Sequence, residues 1–434
     1  MIAYEFPPSA GGGVQRVMKL ARYLPDNGWQ PYVLCATPVR GTATDVGLLE
    51  QVRHVRARHL PDRDVASGVA RAVAPFKRML GRGRRAGSPS HGAPSAAVSA
   101  KAPFSTRVAR SLFIDSAEPW SRLVPGAALA WARETQFDAV FASGPPHSGL
   151  VAGARVARLL GVPYIAELRD AWSGNEGYTW PDGHRQALRS KQFEREALLA
   201  AARVIAASEP ISQYVRAVTG DDAVVVTNGF DPHDVPDWNP APGPLRVAFM
   251  GRFYDTTDPS SFLDGVVQAI RAGGTASELR LDIVGPDSST VRSQVSERGI
   301  DAHVSYHGFR PHDDALAIVS RADVGLVVLA DRPGAEAIYT SKLFEYLGMG
   351  IPILLVGPQR GVAADLVREA HAGTVVPYDR PDLIAEHIER MATEKSLGHA
   401  PEGPDAVVVA RYTRQAQAAM VAAVLAEAVG ADHA

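Results

Sequence analysis

The sequence is poor in cysteine, in net charge and in long apolar runs, and each shortage excludes a class of protein. Its 434 residues include a single cysteine, Cys35, so no internal disulfide can form and a reducing, cytoplasmic setting is expected. The 45 basic and 47 acidic residues leave a formal net charge of −2, which gives no reason to expect a nucleic-acid partner. No apolar run is long enough to span a bilayer and no export leader is recognisable, so we expect neither a transmembrane nor an exported protein.

Short apolar runs alternate with helical stretches along the chain, and this alternation predicts an α/β fold. Parallel sheets covered by helices on both faces have such a pattern. A chain of this length predicts two domains, and a proline-rich stretch at 232–244 separates residues 1–231 from residues 245–410, with a helical tail at 411–434. The predicted strands are 32–36, 138–142, 164–168, 203–207, 224–227, 245–250, 281–284, 324–329 and 353–356.

A basic and then low-complexity segment interrupts the first domain at about 64–103. Two interpretations are open. A basic helical patch ahead of a flexible loop would touch anionic lipid headgroups or shape an entrance for substrate, whereas the composition also fits a disordered insertion. The basic residues are Arg71, Lys77, Arg78, Arg82, Arg84 and Arg85.

The segment from Thr340 to Pro352 is the most informative one for chemistry. Ser341 is predicted to cap a short helix whose free N–H groups favour a phosphate, and Lys342 brings a positive charge to the same place. Glu345, one turn on, is suited to accept hydrogen bonds from ribose hydroxyls, as an acidic residue does in dinucleotide folds. The alternative is a capped helix with a Lys342–Glu345 surface pair and Leu343 in the core.

Two glycine-containing turns follow predicted strands. Gly11, Gly12 and Gly13 lead into a helix, where glycine lets the backbone approach a ligand, although strand-to-helix turns use glycine in any case. The spacing matches neither a nucleotide-binding P-loop nor a dinucleotide fingerprint, which disfavours a kinase or a dehydrogenase. Gly251 and Arg252 end a strand of the second domain, where open α/β sheets bind ligands; a surface arginine is the alternative.

Polar and aromatic residues follow two strands of the first domain, and both loops are expected on the acceptor side of a site. Ser143 and His147 follow the first of these strands. Arg169, Asp170 and Trp172 follow the second. Asp170 is predicted to orient an acceptor hydroxyl or to hold Arg169, and Trp172 to stack on a sugar face.

The sequence predicts no metal site. His303 and His307 are spaced as on one face of a strand, but no cysteine or acidic residue with ligand spacing adjoins them. Asp62 and Asp64 form an isolated Asp-x-Asp pair in a loop.

Taken together, these motifs resemble glycosyltransferase family 4, whose GT-B fold has two Rossmann-like doubly wound domains facing across a cleft. The resemblance implies a retaining, metal-independent transferase without cofactor that moves a sugar from a nucleoside diphosphate donor to a hydroxyl acceptor. UDP is the first expectation for the nucleotide and GDP the second. It also implies that the loop at Gly11–Gly13 reaches the donor and that the tail at 411–434 crosses back to the first domain; sequence alone equally allows a simple terminal helix.

The resemblance also implies roles for single residues of this chain. In the family, the residue at Arg252 contacts the donor diphosphate, and a lysine often follows where this chain has Thr257. Many family members have a sugar-contacting histidine at about the position of Ser143, and the nearest histidine in this chain, His147, is a candidate for that role. The alternative is a loop histidine bonded to water. The first of two family glutamates falls on Ala337, so either Glu336 or backbone groups of that loop take its place.

The acceptor and the class of protein leave further alternatives. A cell-surface polysaccharide or its lipid-linked precursor is the first expectation for the acceptor, with peripheral contact at the inner membrane face, and a small natural product is the second. A sugar-nucleotide epimerase and a sugar-nucleotide-binding protein without catalysis are the other two hypotheses, because a fold does not fix a function.

Overall fold

The computed structural model describes residues 1–10, 12–39, 44–62, 113–174, 185–253, 257–330, 332, 334–399 and 401–432. The predicted insertion at about 64–103, with its membrane contact, and Gly11 lie outside the described residues. The chain divides into two compact units, Met1–Thr227 with Ala418–Ala434, and Asn228–Gln417. The proline-rich stretch at 232–244 therefore falls within the second unit, where the indole N–H of Trp238 donates to the carbonyl of Ala322 at 2.8 Å.

Parallel strands form the sheet of the first unit. The named strands are β1 (Tyr32–Ala36), β2 (Arg56–Leu60), β3 (Val140–Gly144), β4 (Tyr164–Leu168), β5 (Arg203–Ala206) and β6 (Val224–Val225). β1 pairs with β2, and β3 to β6 pair in chain order. Ile2 bridges Leu34 of β1 and Ala142 of β3 in parallel, so the first residues of the chain join the two groups of strands. The resulting order is that of a doubly wound sheet, with the chain start beside its switch point.

Helices cover this sheet. They are α1 (Gly12–Tyr23), α2 (Gly47–Gln51), α3 (Glu118–Ser121), α4 (Val124–Ala132), α5 (Ser148–Leu160), α6 (Arg185–Leu199) and α7 (Glu209–Thr219). The apolar face of α1, with Val14, Val17 and Met18, is buried against β1. Residues from Ala418 onward, such as Val421 and Leu425, pack in the same unit.

The second unit repeats the architecture with a six-stranded parallel sheet. Its strands are β7 (Arg246–Met250), β8 (Arg280–Val284), β9 (Val304–Gly308), β10 (Val324–Val328), β11 (Ile353–Val356) and β12 (Gly373–Val376). The sheet order is β12-β11-β10-β7-β8-β9. Its helices are α8 (Ser260–Ala272), α9 (Ser289–Glu297), α10 (His312–Val319), α11 (Ser341–Met349), α12 (Val362–Glu369), α13 (Pro381–Ser396), α14 (Ala406–Ala410) and the start of α15 (Arg414–Asp432).

The central strands of this sheet are buried on both faces, and their sequence explains why. β10 reads Val-Gly-Leu-Val-Val and is buried throughout. Gly325 is needed within it, because a Cβ there would lie 2.5 Å from the ring of Tyr346 on α11. Separate apolar clusters lie on the two faces of the sheet. The prediction of an α/β fold with two doubly wound, Rossmann-like units is confirmed.

Among the described residues, no helix combines the length and apolar character needed to cross a bilayer.

Candidate functional site

The best-formed candidate site of the second unit lies beyond the carboxyl end of β7, at the switch point of its sheet. β7 has β8 on one side and β10 on the other, and the connections leave in opposite directions there. Gly251, the first residue after β7, has φ of 119°, a conformation that favours glycine. The chain also passes very close, since a Cβ on Gly285 would lie 1.9 Å from the Gly251 carbonyl oxygen. The backbone at this edge is therefore fixed by close packing.

Lys342, in the first turn of α11, lies under this turn. Its side chain is 8% exposed, and its Nζ is 3.9 Å from the ring centroid of Phe249. A Cβ built on Gly251 would be 3.5 Å from the same Nζ. Burial lowers the pKa of Lys342 to about 7, and the carboxylate of Glu345 opposes this shift. The alternative of a surface lysine is wrong.

Glu345 is held within reach of a histidine that the sequence analysis did not single out. The Nε2 of His312, at the start of α10, is 3.4 Å from Oε1 of Glu345, whose side chain is 15% exposed. Burial raises the pKa of Glu345, and the charges of His312, Arg414 and Lys342 lower it, with Asp234 acting in the opposite direction. Because both side chains are largely buried, the alternative of a Lys342–Glu345 pair on the surface is wrong.

The start of α11 differs from the prediction by one residue. Thr340 has the extended backbone of an N-cap, and Ser341 is the first helical residue and is exposed. No side chain caps the helix, and the buried Oγ1 of Thr340 has no hydrogen-bond partner among the described residues. Leu343, the next residue of the predicted donor-binding segment, is fully buried and its N–H donates to the Thr340 carbonyl at 3.2 Å. Contact of Leu343 with a donor remains a prediction. The other N–H groups at this helix start suit an anion.

The remaining donor-side residues are exposed. Arg252 directly follows Gly251, and its carbonyl accepts a hydrogen bond from the Thr257 hydroxyl at 3.4 Å. Glu336 lies in a 3₁₀ turn, Ala335–Ala337, which packs against Gly361 so closely that a Cβ there would be 2.4 Å from the Glu336 carbonyl oxygen. The contacts of Arg252 and Glu336 with a donor remain predictions.

In the first unit, the glycine turn is packed against a carboxylate and an arginine. A Cβ on Gly13 would lie 2.1 Å from Oε2 of Glu5 and 3.4 Å from Nη1 of Arg169. Nη1 of Arg169 donates to the Gly13 carbonyl at 2.7 Å, and Nη2 donates to the Pro145 carbonyl. Arg169 therefore ties the start of α1, one residue after Gly12, to the loop after β3, and its contact with an acceptor remains a prediction. Glu5 was not found from the sequence.

A buried ion pair lies beneath these loops. Arg16, on α1, is 2% exposed and its guanidinium is 2.9 Å from the fully buried carboxylate of Glu167. It also donates to the carbonyls of Val226 and Thr227, at 2.7 and 2.6 Å. Ser143 donates to the other oxygen of Glu167 at 2.5 Å. Ser143 is buried and its hydroxyl is used in this hydrogen bond, and its role on the acceptor side remains a prediction.

The predicted sugar-binding aromatic and histidine stack on each other. The rings of His147 and Trp172 are 4.8 Å apart and nearly parallel, at 9°. Both side chains are buried, and burial lowers the pKa of His147 to about 3. The two rings are therefore covered by each other, and their contact with a sugar remains a prediction. Asp170 is exposed, with its pKa raised by partial desolvation and lowered by Arg169, and its role toward an acceptor remains a prediction.

The two histidines considered as metal ligands bond elsewhere. Nδ1 of His303 is 2.9 Å from the Leu279 carbonyl oxygen, and Nε2 of His307 is 2.7 Å from Oδ1 of Asp282. Within the described ranges, no group of His, Cys, Asp and Glu side chains is arranged to hold a metal ion.

Two family models match the chain and together span more than half of it. Residues 89–234 match the model described as Glycosyltransferase Family 4, and residues 244–394 match the model described as Glycosyl transferases group 1. No curated protein matches the chain at a significant level.

Solved structures share the fold over nearly the whole chain. A glycosyltransferase from Rickettsia africae is 11% identical, with 99% of this chain and 98% of that chain covered and a TM-score of 0.63. Sucrose-phosphate synthase from Thermosynechococcus elongatus is 14% identical, with 99% and 98% covered and a TM-score of 0.62. Anabaena HepE, solved in complex with UDP, is 16% identical, with 98% and 99% covered and a TM-score of 0.60. The chain therefore belongs to the glycosyltransferases, with a family 4 domain in its first half and a group 1 domain in its second, on the GT-B fold.

Proposed function

We propose that the protein is a retaining, metal-independent glycosyltransferase that moves a sugar from a nucleoside diphosphate donor, UDP first and GDP second, to a hydroxyl acceptor. The observation that carries the proposal is the convergence of Gly251, Lys342 and Glu345 at one edge of the second sheet. Lys342 lies beside Gly251, and Glu345 follows one turn along the same helix.

The diphosphate is the leaving group, and the reaction needs positive charge where negative charge develops. Lys342, Arg252 and the N–H groups at the start of α11 supply it. Because burial lowers the pKa of Lys342 to about 7, this lysine releases its proton readily near neutral pH. An arriving diphosphate favours the protonated form, so the ligand restores the charge that it needs.

Glu345 is proposed to accept hydrogen bonds from the ribose hydroxyls. Its carboxylate is partly shielded, and cationic groups around it favour the ionised form. Hydrogen bonds to an ionised acceptor are stronger than those between neutral groups. A neighbouring structure that contains UDP, HepE, supports a nucleotide donor for this chain.

The stereochemistry and the acceptor are proposed from the family resemblance and from one structural neighbour. Retention with the leaving phosphate assisting deprotonation follows from the family resemblance and needs no protein nucleophile. Asp170, exposed beyond β4, is proposed to orient the acceptor hydroxyl. A structural neighbour described as a lipopolysaccharide outer core galactosyltransferase supports a cell-surface glycolipid or polysaccharide acceptor.

Nucleotide binding to matched variants tests the donor site. Calorimetric titration with UDP and GDP is compared for the natural protein, Lys342→Gln and Glu345→Gln. Loss of one hydrogen bond to a charged group costs about 1.5–3 kcal/mol, so we expect affinity to fall roughly 10- to 100-fold in each variant. The controls are Lys191→Gln and Glu386→Gln, which remove the same charges at exposed positions of α6 and α13.

Binding of neither nucleotide to the natural protein, or equal affinity in all variants, would refute the donor site. Transfer is then tested with UDP-sugars in the presence of EDTA, with and without a lipid-linked saccharide acceptor. Product with the donor's anomeric configuration supports the proposal. Conversion of the sugar without acceptor indicates an epimerase, and binding without hydrolysis or transfer indicates a non-catalytic protein.

A further inference from the structure

The imidazole of His312 lies close to Glu345, although the two residues belong to different helices of the second unit. His312 is the first residue of α10, which follows β9. Its Nε2 is 3.4 Å from Oε1 of Glu345, and its side chain is 33% exposed. The geometry thus puts a basic ring at the edge of the carboxylate while leaving part of that ring open to solvent.

The other charged groups around Glu345 come from other elements. Lys342 precedes it on α11, Arg414 begins α15, and Asp234 lies in the segment that opens the second unit. Arg414 is directed in part to Gln417, with Nη1 2.9 Å from Oε1. Lys342 lies against Phe249. His312 contributes a ring nitrogen at ion-pair distance, 3.4 Å, from the Glu345 carboxylate.

We propose that His312 is a positioning residue for nucleotide recognition, holding the Glu345 carboxylate ionised and oriented toward the ribose hydroxyls. The inference rests on the proposed function, because it takes Glu345 as the ribose-binding group. His312 acts through Glu345 and has no part in the transfer itself.

The pair gives nucleotide binding a defined pH dependence. Burial raises the pKa of Glu345, and the charge of His312 lowers it. The ring of His312 lies 3.4 Å from the carboxylate, and a positive charge on it favours the ionised form of Glu345. Without the charge of His312, Glu345 should take up a proton at a higher pH than in the natural protein. The acidic limb of the affinity profile should therefore move upward in His312→Gln, whereas the basic limb, set by Lys342, should stay in place.

The experiment measures UDP affinity by calorimetry from pH 5 to pH 8.5. We expect His312→Gln and His312→Asn to bind UDP about two- to fivefold more weakly at pH 6, the size of a partly exposed ion pair. The control is His399→Gln, which removes an exposed imidazole from the same unit. 2′,3′-Dideoxyuridine diphosphate serves as a second probe, because it lacks the hydroxyls that Glu345 would accept from.

The outcomes separate the two claims. A shifted acidic limb with UDP, and no effect of the variants on the dideoxy probe, supports the inference. Natural protein that binds no nucleotide overturns the proposed function and the inference with it. Natural protein that binds UDP while the His312 variants keep its affinity and pH profile overturns the inference alone. An equal loss of affinity for both probes at every pH also overturns it, because that result indicates only a structural role.

Discussion

The buried Lys342 makes a stability prediction that differs in sign from the usual effect of mutating a core residue. We expect Lys342→Met to stabilise the second unit in the absence of ligand while it weakens nucleotide binding. The methionine keeps the apolar stem that packs near Phe249 and removes the amine that burial disfavours in its charged form.

The magnitude follows from the pKa of Lys342, which burial lowers from 10.5 to about 7. Above pH 10.5 the lysine is neutral in both the folded and the unfolded state. Between the two values only the unfolded chain holds the proton, so the stability contributed by this group rises with pH across that window and is lost as pH falls toward 7. The full shift corresponds to roughly 5 kcal/mol.

The attraction between the ammonium and the Phe249 ring offsets part of this cost, by about 1–2 kcal/mol. We therefore expect Lys342→Met to raise the free energy of unfolding by about 3–4 kcal/mol at pH 6.5. The advantage should shrink as pH rises from 7 to 9, by up to about 1.4 kcal/mol per pH unit, since the natural protein then gains stability.

Hydrogen–deuterium exchange of the peptide that contains α11 measures this quantity, with rates corrected for the pH dependence of intrinsic exchange. The same samples are titrated with UDP. A variant that is less stable than the natural protein at every pH, with a difference that does not change between pH 7 and pH 9, would refute the reasoning. That result would mean that the charged Lys342 is well satisfied without a ligand.

Two further substitutions test the packing that supports the sites. Arg16→Met should cost about 3–5 kcal/mol, because it leaves the carboxylate of Glu167 buried without its charge partner, and the melting temperature of the first unit measures the loss. Gly285→Ala should destabilise the second unit and weaken UDP binding together, because the new Cβ would meet the Gly251 carbonyl at 1.9 Å. Thermal melts with and without UDP check this second prediction.

Matched controls make these results specific. Arg203→Gln removes an arginine from an ion pair with Glu427 whose side chains are 40% and 57% exposed, and it should cost less than about 1 kcal/mol. Gly126→Ala lies in α4 with open space around its Cβ, and it should be neutral or slightly stabilising. A loss for Arg16→Met as small as that for Arg203→Gln, or normal UDP binding by Gly285→Ala, would contradict the packing argument.

Local patterns were sufficient for most of the strands but not for all of them. Three predicted strands have the observed bounds, among them β4 and β11, because continuous apolar runs of this length form buried parallel strands. β2 (Arg56–Leu60), β9 (Val304–Gly308) and β12 (Gly373–Val376) were not identified as strands. Each is an outer strand of its group, so it carries polar residues or glycine and lacks a two-sided apolar signal.

For the candidate site, too, some residues could be predicted from local patterns and others could not. The sequence placed Lys342, Glu345 and Gly251 at one edge of a sheet, because strand ends, helix starts and the offset of one helical turn are short-range features. It did not predict the roles of His312 and Glu5, the buried ion pair of Arg16 with Glu167, or the stacking of His147 on Trp172.

By itself, then, the sequence determined the doubly wound fold, most of its strands, and the helix that carries Lys342 and Glu345. Only the tertiary structure decided which side chains meet and which are buried. Arg16 reaches Glu167 across 151 positions of the chain, and Trp172 is covered by a histidine from a neighbouring loop. The reason is physical: periodicity reports the surroundings of a residue within one element, whereas its partners, its desolvation and its pKa depend on the elements that pack against it.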